Sequence, residues 1–203
     1  AAIYYAMSDD GGASFRRNVK IADHVCECCR TAMDVDADDY PVVIWRHIFE
    51  TNIRDHALVK LDGKMAPVRL SREDWNIAAC PHHGPSLSIA SDGVYHAAWF
   101  SNAPQQHGLF YANSTDRGKT FSSPLNFGNF EAQPARPSVL SLGSRVYLAW
   151  KEFDGENTGI FVMHSGDGGK SWSVPERWAS TSDVSDWPAG CGPYNRNLFR
   201  RNL

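Results

Sequence analysis

The stretch SGDGGKSW (165–172) decides the architecture, because the chain uses its pattern more than once. STDRGKTF (114–121) and SDDGGASF (8–15) also read Ser-x-Asp-x-Gly-x-Ser/Thr-aromatic. Each follows a short apolar run: GIFVMH, GLFYAN and AIYYAM. The second and third copies begin 51 residues apart. The first two begin 106 apart, close to twice that period, so a degenerate copy is expected midway. HALVKLDGKMAPVRL (56–70) fills that place, keeping strand, turn and strand but losing the Ser and the aromatic. The octapeptide has the chemistry of a hairpin turn. Its Asp can accept bonds from nearby backbone N–H groups, its Gly supplies a positive φ, and its aromatic plugs the underside.

A second pattern keeps the same period. RTAMDVDADDYPVVIWRHI (30–48), GPSLSIASDGVYHAAWFSN (84–102) and RPSVLSLGSRVYLAWKEFD (136–154) each read as strand, polar turn, and strand ending near Trp45, Trp99 or Trp150. Their starts are 54 and 52 residues apart. One unit is therefore four strands, the last two joined by the octapeptide. Seven Trp, seven Tyr and ten Phe among 203 residues, with 16 Gly and 11 Pro, suit short strands and tight turns. A net charge of −3 gives no reason to expect nucleic acid or an anionic membrane as partner. No apolar run approaches the ~20 residues of a membrane span, and the opening AAIYYAMSDDGG shows no signal-peptide pattern.

These repeats resemble the Asp-box, or BNR repeat, of the sialidase-like β-propellers, and the chain is similar to a bacterial branch of that family with Cys/His-rich loops. The resemblance implies an all-β propeller of four-stranded blades in a single domain. Complete blades are expected at about 26–78, 80–131 and 134–181, with part-blades at both termini. That is about four blades' worth, which either closes a four-bladed ring through one blade shared by the two ends or, the favoured reading, derives from the six-bladed ring of the resembled family. A periplasmic or secreted location is implied, and oligomerisation is open if the ring is incomplete.

In a propeller, the segments entering successive innermost strands lie side by side at the top face. Here they are VCECCR (25–30), CPHHGP (80–85) and QPAR (133–136), with Arg30, Gly84 and Arg136 in register. Cys26, Cys28 and Cys29 are therefore expected to face Cys80, His82 and His83 across one blade boundary. Three readings are open. Thiolates with imidazoles select copper or zinc, and Cys26-x-x-Cys29 with Cys80-x-His82 could complete a tetrahedron. Disulfides, for instance from this cluster to Cys80 or between Cys28 and Cys29, would staple adjacent blades in an exported protein. Free or redox-active thiols are the third reading. Five cysteines are an odd number, and Cys191 stands alone near the end.

Enzymes of the resembled family hold a substrate carboxylate with three arginines and use a Tyr–Glu pair and an Asp. The resemblance implies that Arg30 and Arg136 would bind an acidic sugar or glycan, since a guanidinium fork suits a carboxylate; bonding to loop carbonyls is the structural alternative. The family's Arg-Ile-Pro segment is absent, and no Tyr–Glu pair can be assigned: Tyr194 lies in an irregular tail, and Glu131 and Glu152 could be solvated. A metal-binding propeller, a sialidase-like hydrolase or carbohydrate-binding propeller, and a disulfide-stapled scaffold therefore compete. DVDADD (34–39) lacks the Gly and distal Glu of a calcium loop and reads as a solvated acidic turn. His47, His56, His96, His107 and His164 are scattered, Arg54 and Asp55 could reach the top face, and RNLFRR (196–201) reads as a solubilising basic tail.

Overall fold

The computed structural model describes residues 1–184; the tail that carries Cys191, Tyr194 and RNLFRR, and would start a further blade, lies outside them. The described chain is all-β apart from one 3-10 turn, Phe130–Ala132. A two-stranded sheet, β1 (Ala2–Tyr5) and β2 (Val19–Asp23), comes first. Three antiparallel four-stranded meanders follow. The first is β3 (Ala32–Val35), β4 (Pro41–Arg46), β5 (His56–Lys60) and β6 (Val68–Arg69). The second is β7 (Ser86–Ile89), β8 (Tyr95–Asn102), β9 (His107–Ser114) and β10 (Leu125–Phe127). The third is β11 (Ala135–Leu142), β12 (Arg145–Phe153), β13 (Asn157–Ser165) and β14 (Glu176–Ser182). This is the propeller-like arrangement of stacked four-stranded sheets that the repeat predicts.

Burial between sheets explains the strand sequences. β4 is covered on both faces, so it reads as an unbroken apolar run rather than an alternation. Val42 and Ile44 pack toward the second meander, with Leu58, Leu87 and Trp99. Val43 and Trp45 face the other way, toward Ile3 and Ile21 of the two-stranded sheet. Trp150 repeats the scheme one sheet on, against Leu109 and Phe127. Each of these three Trp side chains thus fills the seam toward the preceding sheet, and each indole N–H finds an acceptor: His47 Nδ1 at 3.3 Å, Glu73 Oε2 at 3.1 Å and Glu152 Oε1 at 2.7 Å.

The innermost strands are tied at the repeat period. Ser86 Oγ accepts from Val139 N, Ser88 Oγ from Ser141 N, and Asp34 Oδ2 from Ile89 N. A strand edge that would otherwise lack partners is thereby satisfied by the neighbouring sheet.

The octapeptides form the lower ends of the blades, and all three build one network. Ser8, Ser114 and Ser165 donate to Asp10, Asp116 and Asp167, and accept from Gly12 N, Gly118 N and Gly169 N at 2.8 Å. Each Asp then accepts from the backbone N–H and the hydroxyl of Ser14, Thr120 or Ser171. Those donated bonds, the hydroxyl first, hold the Asp116 carboxyl down at about 2, and the Asp10 and Asp167 carboxyls lower still. The degenerate copy keeps a remnant: Asp62 Oδ1 accepts from Lys64 N and Met65 N, and Met65 takes the plug's place against the core.

The run DVDADD is solvated at Asp38 and Asp39, as expected, but not at Asp36. Asp36 is buried, where it pairs with Lys60 at 2.6 Å and accepts from the Tyr95 hydroxyl. Asp38 bridges Lys60 and Arg117. The charges are absorbed by a cation from β5 and another from the neighbouring octapeptide, a pairing that sequence proximity does not reveal. Glu152, too, is buried rather than solvated, held by Trp150 and Asn129 N.

Candidate functional site

The two cysteine-bearing segments lie at the upper end of one seam. In the first, Cys26 N donates to Arg46 O at the end of β4, and Cys29 N donates back to Cys26 O. This tight turn converges three side chains: Cys26 Sγ is 3.8 Å from Cys28 Sγ and 3.3 Å from Cys29 Sγ. The second segment is drawn over it. Arg46 donates to His83 O and Arg136 donates to His82 O at 2.6 Å. At Gly84 the segments touch so closely that a Cβ there would stand 2.5 Å from Arg30 O. The result brings Cys26, Cys28 and Cys80 together, their Sγ atoms all within 4.8 Å of one another, from positions more than fifty residues apart. All four described cysteines are free thiols.

Two buried cations surround this group. Arg46 is 1% exposed, and it donates to the carbonyls of Arg54, His83 and Phe100. Arg54 donates through Nε to Ile77 O and through Nη1 to Cys26 Sγ at 3.2 Å. Among the described residues, neither guanidinium has a carboxylate within salt-bridge distance. Burial pushes the Cys29 thiol up to about 12, with the neighbouring thiols adding and Arg46 opposing. Burial also acts upward on Cys28, but bonds from the Cys80 thiol and the His82 N–H outweigh it and the net shift is downward. Cys80, the donor in that pair, is raised. Of these three thiols, Cys28 is the one shifted toward ionisation.

The imidazoles stand apart from the sulfurs. His82 is exposed and contributes its backbone: the N–H to Cys28 and the carbonyl to Arg136. His83 stacks on Phe100 at 4.1 Å, and its buried Nδ1 has no partner; burial pushes its pKa down to about 4. The sulfur group excludes both rings. Arg136 braces the Cys80–Gly84 loop, and Arg30 supplies the backbone on which Gly84 rests.

Of the buried groups beside this site, the sequence places Arg54 and Asp55 near the upper face and reads His56 as one of several scattered histidines, but it misses Glu73 and Arg46. Asp55 is 1% exposed, held by Arg69 and Asp74 N through Oδ2, while its Oδ1 has no partner. His56 bonds Ser71 through Nδ1 and leaves a buried Nε2 without one. Burial, reinforced by the charge of Asp55, raises Glu73 to about 7. The signal that could have found Glu73 is the need of a buried Trp99 indole for an acceptor. Arg46 had no such signal, because an Arg directly after a strand Trp reads as solvated.

No protein-family model matches the sequence, and no curated protein matches it. Solved structures do share the fold. A Hadza microbial sialidase superposes with a TM-score of 0.51 at 12% identity, over 74% of this chain and 37% of its own. An α-L-arabinofuranosidase from Fusarium graminearum, solved with an iminosugar inhibitor, superposes with a TM-score of 0.50 at 13% identity, over 76% of this chain and 48% of its own. The chain thus spans less than half the length of either, and the likeness is one of fold. No helix among the described residues is long and apolar enough to cross a membrane.

Proposed function

We propose that this chain is an exported, sialidase-like Asp-box propeller that binds a soft metal ion at its upper face. The observation that carries this reading is the convergence of Cys26, Cys28 and Cys80 from two blades, with Cys29 beside them. Thiolate sets of this kind take copper or zinc. The ion would tie the first and second four-stranded sheets together, supplying a cross-link that the free thiols alone do not. His82 and His83 support the site as placed here, one through its backbone and one as the stacked wall.

Metal analysis of chelator-free protein, with thiol counting, tests it. The expected result is about one copper or zinc per chain and reduced cysteines. A metal content near zero with oxidised cysteines would instead make the protein a disulfide-stapled scaffold. A carbohydrate-directed role is the second reading, supported by the fold shared with a sialidase and an arabinofuranosidase. Arg30 and Arg136 are its candidate contacts with an acidic sugar. Turnover of a fluorogenic sialoside that Arg136→Ala abolishes, with the fold intact, would establish it; no turnover and no glycan binding would remove it.

A further inference from the structure

The metal reading leaves the ion's identity open between copper and zinc. We infer that the ion is cuprous and that it sits in a three-thiolate set from Cys26, Cys28 and Cys80, its charge balanced by the buried guanidiniums of Arg46 and Arg54. This inference rests on the metal reading above.

Geometry and charge lead there separately. A thiol that ligates a metal gives up its proton, so three ligands bring three negative charges. With one monovalent cation the group retains two, and the structure provides two buried guanidiniums for them. Arg54 already donates to Cys26 Sγ at 3.2 Å, and Arg46 lies 1% exposed beneath the same turn, donating to backbone carbonyls and Cys29 and feeling the charge of Cys26. Two cations buried without carboxylate partners are costly unless anions stand near them. Asp55, whose charge reaches Arg46, is already engaged by Arg69. The thiolates are the anions that remain.

The donor count separates the two metals. Zinc in a closed site takes four ligands, and a divalent ion on three thiolates would leave one positive charge uncompensated. Four thiolates would balance it, but the mutually close group holds only Cys26, Cys28 and Cys80. Cys29 bonds Cys26 and Cys28, but its sulfur is not within 4.8 Å of every member of the group, and it is the cysteine that Arg46 bonds. A soft monovalent ion accepts an all-sulfur set without a fourth ligand. Exposed Cys80 leaves one side open, so an ion can pass from a donor's thiol to this one by ligand exchange, one Cu–S bond forming as another breaks and no electron moving.

The test is anaerobic titration of the reduced full chain with Cu(I) against a chromophoric Cu(I) chelator, alongside Zn(II), with X-ray absorption on the loaded protein. One cuprous ion per chain with three sulfur neighbours is expected. Cys80→Ser should lose the ion, whereas Cys29→Ser should keep it. Arg54→Leu should weaken Cu(I) binding about tenfold or more, and Arg54→Lys should recover most of that, because a charge-assisted bond to a buried anion is lost in one and retained in the other. If Cys29→Ser loses the ion as completely as Cys80→Ser, or if the chain retains Zn(II) and not Cu(I), the cuprous assignment is overturned while the metal reading stands. If neither ion is retained by reduced protein, both fall.

Discussion

At their lower ends, the second and third sheets carry the same turn twice. Ser114, Asp116, Gly118 and Thr120 make bonds that Ser165, Asp167, Gly169 and Ser171 repeat to within 0.1 Å. At their upper ends the seams share little beyond a buried Glu that takes a Trp indole N–H: one adds four cysteines and two buried arginines, the next a 3-10 turn. The lower turns close their hydrogen bonds within eight residues, so they work in any blade. The upper site closes its bonds across 28, 37 and 54 residues, so it exists only where two particular sheets meet. Local closure can be copied; long-range closure belongs to one seam.

The strongest way to break this contrast is Arg46→Ala. Its guanidinium serves the carbonyls of Arg54, His83 and Phe100, and removing it strands all three in a buried seam. A loss of about 3–5 kcal/mol is expected in urea unfolding. Asp116→Ala, which removes the hub of a partly exposed lower turn, should cost about 1 kcal/mol. Equal losses would show that the upper seam is no more than another turn.

Glu73 sharpens the same contrast through pH. Burial, then Asp55, raises its pKa in the folded chain to about 7, above the usual carboxylate value. The folded state therefore holds a proton that the unfolded chain has released. This contribution is fully present below about pH 4.5 and is lost as pH rises through about 7. Wild-type stability should fall across that window relative to Glu73→Gln by on the order of 3 kcal/mol. Asp116 is shifted oppositely, and its contribution is lost only as pH falls through about 2. Parallel profiles for wild type and Glu73→Gln between pH 4.5 and 7 would show that the carboxyl is ionised in the fold.

Legibility in the sequence follows the same division. The octapeptides, the Trp period and the four-strand unit could be read directly, because each depends on residues a few positions apart. The meeting of Cys26, Cys28 and Cys80 was also legible, since the period places successive upper loops side by side. The imidazoles were not: whether His82 turns its ring or its backbone to Cys28 depends on a positive φ of 56° and on Arg136 drawing its carbonyl away. Nor were Arg46, Asp36 and Lys60 legible, whose burial is decided by partners on other strands. A charged residue in sequence carries no mark of the cavity that will receive it.

The smallest effect concerns one motif in two settings. Trp172 plugs the third octapeptide and packs against the core between the second and third sheets, edge-on to Tyr111 at 4.9 Å. A side chain added at Gly169 beside it would collide with the Tyr111 hydroxyl. Phe15 occupies the same motif position yet is 65% exposed, and a Cβ at Gly12 would meet nothing within 4 Å. Both turns make the same internal hydrogen bonds, so the aromatic is not what closes them. Its contribution arises only where a preceding sheet receives it. Trp172→Ala should therefore cost about 2–3 kcal/mol, and Phe15→Ala should change stability by less than about 0.5 kcal/mol. Comparable losses at both positions would mean that the plug stabilises its own turn. A loss at Trp172 alone makes it a joint between blades, and the same reasoning then extends to Phe121 in the seam beneath the thiol site.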